Sequence, residues 1–182
     1  MSAPGLPEKI LAVHDAFSAN GIAHAFGGAL ALAYYAEPRA TDDVDINVFA
    51  APETYPAVVG ALTPLGVQDR LDAAVVSEDG QCRLWWGRTP LDLFFAYDEL
   101  HDAMKGSMRL VPFGDRQIPI LAPEHLLVCK AIFDRPKDWL DIEQIVVCVD
   151  ELDEDAIRDW LARIVGDDDP RAERAEAALH RG

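Results

Sequence analysis

Between Gly27 and Asp45 the chain reads GGALALAYYAEPRATDDVD. A glycine pair follows the short apolar run Ile22–Phe26 and opens an Ala/Leu-rich helix expected over Ala29–Ala36. Beyond a break at Glu37-Pro38, Asp43 and Asp45 interrupt an apolar strand that continues through Ile46, Asn47, Val48 and Phe49. Side chains in a strand repeat every two residues, so Asp43 and Asp45 share a face and Asp42 points the other way, toward a structural or solvent role. Two carboxylates side by side raise each other's pKa unless a cation sits between them, and hard divalent ions take such oxygen ligands together with substrate phosphates. Missing Cβ atoms at Gly27 and Gly28, at the start of a helix, leave room for an anion. The stretch therefore reads as a phosphate-cradling turn beside a carboxylate metal site. The alternatives are a tight turn and a solvated edge strand, although Asp is poorly suited to strands.

The rest of the chain gives these residues a setting. Pro7–Ala19 has the spacing of an amphipathic helix with Ile10, Val13 and Phe17 on one side. Asp43–Phe49 is the second strand, Pro52–Leu65 a helix ended by Gly66, and Leu71–Ser77 a candidate third strand. Gln81–Trp86 and Leu91–Ala96 form an expected hairpin joined at Gly87-Arg88-Thr89-Pro90. A short helix over Asp98–Lys105 precedes a second hairpin, Met108–Phe113 with Gln117–Leu121, turning at Gly114-Asp115. From Pro123 onward the pattern is helical: Pro123–Phe133, Lys137–Val149 and Asp153–Val165, then a charged segment from Gly166 that is a short exposed helix or a frayed tail. Helix crossovers and tight hairpins together imply a mixed sheet. The expected fold class is α/β (α+β), with a core over 1–122 and a helical part over 123–182 packed on it.

Asp92 is a single acid in the apolar run Leu91-Asp92-Leu93-Phe94-Phe95. A strand neighbouring the Asp43/Asp45 strand brings it to the same cluster, where it completes a metal site and accepts the proton of an attacking hydroxyl. Its alternative is an acid capped at a strand end. Arg39 and Thr41 either hold phosphate or brace the turn. Lys130 lies among Leu126, Leu127 and Phe133 at helical spacing, and a half-buried lysine requires an anionic partner: a phosphate, or one of Asp138 and Asp141. Asp138 and Asp141 otherwise suit the dipole of a helix start.

A glycine pair, then R-x-T-x-D-x-D, then an isolated strand aspartate resembles the polymerase-β-like nucleotidyltransferase superfamily over about Ile22–Ala96. That resemblance implies a mixed-sheet nucleotidyltransferase core with flanking helices. It implies that Gly27 and Gly28 hold a nucleoside triphosphate, that Asp43 and Asp45 bind two Mg²⁺ ions, and that Asp92 binds one ion and activates the acceptor. The stretch HLLVCKAIFDRPKDWLDIEQI, His125–Ile145, is similar to the AbiEii/AbiGii-type bacterial nucleotidyltransferases, which include toxins of toxin–antitoxin pairs. This second resemblance implies an acceptor of tRNA or protein, a cognate antitoxin, and Lys130 on the triphosphate. Small antibiotic nucleotidyltransferases share the plan of a glycine pair and D-x-D, and a vestigial, antitoxin-like binding module is a third class.

Composition narrows the partners. Lys and Arg number 16 against 32 Asp and Glu, a formal net charge of −16, which disfavours a broad nucleic-acid groove and suits a cationic small molecule or basic protein. The three cysteines, Cys82, Cys129 and Cys148, lack CxxC spacing and are expected as buried free thiols in a reducing cytoplasm. Neither a signal peptide nor a membrane span is expected: the apolar stretch Gly21–Ala36 is short and interrupted by His24. His14, His24, His101, His125 and His180 show no zinc spacing. Trp85 and Trp86 alternate across a strand, one toward the core and the other toward a cleft or interface.

Overall fold

The structure is a computed structural model and describes residues 4–181. Residues 1–3 and 182, the outer ends of the two expected parts, lie outside the described residues. The described residues divide into two compact units. One comprises the chain up to Leu30 together with Ala40–Ile120; the other comprises Ala31–Arg39 together with the chain from Leu121.

The first unit is built on a six-stranded mixed sheet in the order β3-β4-β2-β1-β6-β5. Its strands are β1 (His24–Phe26), β2 (Val44–Val48), β3 (Gln81–Trp86), β4 (Thr89–Phe95), β5 (Arg109–Phe113) and β6 (Arg116–Ile120). The pairs β2/β4 and β1/β6 are parallel, while β1/β2, β3/β4 and β5/β6 are antiparallel. Alternation sorts the side chains of β2–β4 onto two faces. Val44, Ile46, Val48, Leu84, Leu91, Leu93 and Phe95 are all buried on one of them. The opposite face carries Asp45, Asn47, Arg83, Trp85, Asp92 and Phe94, in register across the three strands.

Helix α1 (Leu6–Ala19) buries Ile10, Val13 and Phe17 as its spacing predicts. Helix α2 is shorter than expected, Gly28–Leu32. Its continuation tightens into turns in which Tyr34 and Tyr35 donate to carbonyls three residues back. Pro52–Leu65 is an α-helix, α3 (Tyr55–Leu62), between 3-10 turns at Pro52–Thr54 and Thr63–Leu65. One expected strand is corrected. Leu71–Ser77 does not pair; it enters helix α4 (Ala73–Asp79), whose start is capped by Asp72 accepting from Ala74 N and whose end is Gly80 at φ 65°. The cap and the left-handed glycine outweigh the β-propensity of Val75 and Val76, and helical spacing leaves Val75 exposed while Val76 is buried. Helix α5 (Glu99–Ser107) is capped by Asp98, which accepts from His101 N.

The second unit is helical: α6 (Pro123–Phe133), α7 (Pro136–Cys148), α8 (Glu154–Ile164) and α9 (Pro170–Leu179). Helices α7, α8 and α9 all pack on α6. The charged C-terminal segment is neither exposed nor frayed, because Ala175, Ala178 and Leu179 bury one face of α9. Tyr35 Oη donates to Leu121 O at 2.8 Å and fastens the Ala31–Arg39 segment into this unit. The cysteines are free, as expected, but Cys82 and Cys129 are half-buried and Cys148 is exposed. Among the described residues no helix is long and apolar enough to cross a membrane.

Candidate active site

Backbone register brings the acids together. Asp45 and Asp92 are direct partners on the parallel strands β2 and β4. Asp43 precedes β2 by one residue, on the Asp45 side of the alternation. Asp45 also lies against the glycine turn. A Cβ added at Gly28 would sit 2.5 Å from Asp45 Cγ and closer still to Oδ2, and Gly28 has φ +53°. Both facts demand glycine, so this turn packs on a carboxylate. Gly27 N donates to Asp45 O at 2.9 Å, so its N–H is engaged by the sheet. Thr41 Oγ1 donates to Asp43 Oδ1, a bracing contact at the entry to β2.

Asp92 is held by a residue that the sequence pattern did not single out. Arg83, opposite Asp92 in the β3/β4 hairpin, donates from Nε to Oδ1 and from Nη2 to Oδ2, both at 2.6 Å. The hydrogen-bonded Asp92 carboxylate holds the Arg83 guanidinium above its usual pKa, and the fields of Asp92, Asp43 and Asp45 act in the same direction. The thiol of Cys82, next in sequence, is pushed up to about 12 by burial and by the charges of Asp69 and Asp92, which removes it as a nucleophile at neutral pH.

Oxygen-only donors on adjacent strands fit a hard divalent ion in chemistry and in backbone placement. Asp43 accepts from Thr41 and Asp92 from Arg83. Among the described residues no three His, Cys, Asp or Glu side chains converge into a metal-holding group.

Arg39 and Lys130 lie in the second unit, in one ion-pair network. Lys130 Nζ donates to Asp141 Oδ2 at 2.6 Å and stands 3.8 Å from Asp138 Oδ1. Arg39 approaches both oxygens of Asp141, at 3.3 and 3.2 Å. Arg135 clasps Asp138 at the start of α7. Lys130, Asp138 and Asp141 are all buried, which removes these ions from water and requires such pairing. Asp141 and Asp138 are thus the anionic partners that Lys130 meets within the protein.

No protein-family model matches the sequence, and no curated protein does. Solved structures do. ANT(2")-Ia, in complex with adenylyl-2"-tobramycin, aligns at TM-score 0.55 and 17% identity over 96% of this chain and 95% of that one. The fold is that of nucleotidyltransferases. The lincosamide antibiotic adenylyltransferase LnuA, lincomycin-bound, aligns at 0.56 and 15% identity over 76% of this chain and 94% of its own. An antigenic nucleotidyltransferase-like protein from Paracoccidioides brasiliensis aligns at 0.56 and 15% identity over 96% and 92%. At these identities the likeness is one of architecture.

Proposed function

We propose that the protein is a Mg²⁺-dependent nucleotidyltransferase that moves a nucleoside monophosphate from a triphosphate to an acceptor hydroxyl. The observation that carries this reading is the register of half-buried Asp45 with half-buried Asp92 on one face of a sheet with the nucleotidyltransferase fold. Asp43, Asp45 and Asp92 would hold the ions. Divalent ions bound there would neutralise triphosphate charge and polarise the α-phosphate. Gly28, lacking a Cβ, lets the Asp45 carboxylate pack directly on the turn, so ions on Asp45 would lie beside a triphosphate held at Gly27 and Gly28. Thr41 keeps Asp43 oriented through its hydroxyl. Asp92 would take the proton of the acceptor hydroxyl as its oxygen bonds to the α-phosphorus and the bond to pyrophosphate breaks.

The toxin-type acceptor, tRNA or protein, is supported by the similarity of His125–Ile145 to AbiEii/AbiGii sequences and brings with it a cognate antitoxin. A cationic antibiotic is the second reading. It is supported by the net charge of −16 and by the tobramycin and lincomycin named with two fold relatives. Purified protein incubated with Mg²⁺ and each labelled nucleoside triphosphate, offered total tRNA, itself, or an aminoglycoside and lincosamide panel, tests both. Label in RNA or protein supports the toxin type, label in drug the antibiotic type. Asp43→Asn lowers transfer by two orders of magnitude or more, roughly the weight of lost charge stabilisation at such a site. Full transfer by that variant refutes the metal assignment.

A further inference from the structure

Three acids on one sheet face require positive charge nearby, and in this structure a guanidinium supplies it. Arg83 engages both oxygens of Asp92 in a forked pair, the geometry that gives arginine its strongest hold on a carboxylate. The two side chains differ in freedom. Arg83 stands 53% exposed at the outermost strand of the sheet, while Asp92 is 14% exposed. An ion at Asp92 needs an oxygen lone pair directed at it from about 2.0–2.1 Å. The fork occupies the facing lone pair of each oxygen, so an ion that takes Asp92 from that side must displace the guanidinium. Metal and arginine therefore compete for one carboxylate.

We propose that Arg83 is a built-in counter-ion of the acidic face, offsetting the Asp92 charge in the metal-free protein and swinging into water on its exposed stem when a divalent ion takes Asp92. The device rests on the proposed metal role of Asp43, Asp45 and Asp92. Arg83 is a positioning residue: it sets the direction of the Asp92 carboxylate and the affinity of the face for cations. The metal-free fold is held partly by the fork, and uptake of a divalent ion exchanges a single positive charge for two beside the three carboxylates.

Titration of Mg²⁺ by calorimetry, with no nucleotide present, tests this alongside melting curves with and without Mg²⁺. Wild type, Arg83→Gln, Arg83→Lys and Asp45→Asn are compared, with circular dichroism confirming that each is folded. An exposed forked pair together with a removed like charge corresponds to roughly fivefold to tenfold in affinity. Arg83→Gln is therefore expected to bind Mg²⁺ that much more tightly, to melt lower without the ion, and to gain more Tm on adding it. Arg83→Lys, a cation without the fork, falls between. Equal Kd values for wild type and Arg83→Gln, with Asp45→Asn not binding, overturn the counter-ion role and leave the metal assignment standing. Weaker binding by Arg83→Gln overturns it too, because Arg83 would then be only a support for Asp92. No Mg²⁺ binding by any of the four overturns both.

Discussion

Replacing Gly28 with alanine asks whether the glycine turn and Asp45 are one mechanical unit. Two costs add at this position. The left-handed backbone, φ +53°, costs an alanine about 1 kcal/mol. The new methyl would also occupy the volume of the Asp45 carboxylate, 2.5 Å from Cγ, and force that side chain off its rotamer at about 1 kcal/mol more. Gly114 provides the control: it has φ +63°, and a methyl added there would meet nothing within 4 Å. Gly114→Ala should thus lose about 1 kcal/mol, the backbone cost alone, and retain full nucleotidyl transfer. Gly28→Ala should lose about 2 kcal/mol and most of its transfer activity, because Asp45 no longer faces Asp92. Urea unfolding with an unchanged m-value measures the stabilities, and incorporation of labelled nucleotide measures transfer. Equal destabilisation of the two variants with transfer retained in both would show that Asp45 is free to move from Gly28, and the reasoning fails.

Other expectations concern buried charge. Burial holds His24 down at about 4, opposed by its bond to Ile22 O and assisted by His14, which itself feels Asp15 and Arg116. Between about pH 6.5 and 4 the unfolded chain binds a proton that the folded chain refuses, so stability falls as pH drops through that window, by up to about 3 kcal/mol. Urea unfolding at pH 7.5, 5.5 and 4.5 should show this slope in wild type and a shallower one in His24→Leu; parallel profiles refute it. Lys130→Met leaves Asp138 and Asp141 buried beside Arg135 and Arg39 alone, and should cost about 3 kcal/mol in the same assay. Lys130→Met combined with Asp141→Leu should recover part of that loss, and a double variant less stable than the single one counts against the pairing.

Elements marked by local chemistry were legible before the fold was known. The spacing of Ile10, Val13 and Phe17 matches the buried face of α1, and the glycine punctuation at Gly87 and Gly114 marks both hairpins, each glycine at φ 63°. Leu71–Ser77 misled because Val75-Val76 carries strand propensity, while the deciding cap at Asp72 and stop at Gly80 act through the helix ends rather than through those valines. Arg83 was missed for a reason of register. A four-residue connection over Gly87–Pro90 sets Trp85 opposite Asp92, whereas the actual two-residue turn, closed by Trp86 with Thr89, sets Arg83 there. Two residues of turn length separated an aromatic neighbour from an ion pair. The side chain directions at Asp43 and Asp92 depend on such partners, which no single strand pattern contains.

The formal charge of the chain divides evenly, −8 in each unit. In the second unit several acids are paired, Arg158 with Glu154, Asp155 and Glu176, Arg171 with Asp169, and Lys130, Arg39 and Arg135 with Asp138 and Asp141, but acids there outnumber Lys and Arg by 17 to 9. Pairs a few ångströms apart cancel each other's field within a Debye length, about 8 Å at physiological salt. A partner close to the sheet face therefore meets the local charges there on top of a field that is negative over both units. On that face Asp45 and Asp92 share their side of the sheet with Arg83 and with Trp85, which is 45% exposed. A cation or a sugar ring can rest on such an indole beside carboxylates without loss of its charge complement. A phosphate backbone meets the same carboxylates as repulsion, and binds there only where added cations first neutralise them. Under the proposed function an acceptor on this face would meet Trp85 and the acids around it, and the cation balance proposed for Arg83 is the variable to control when candidate acceptors are compared.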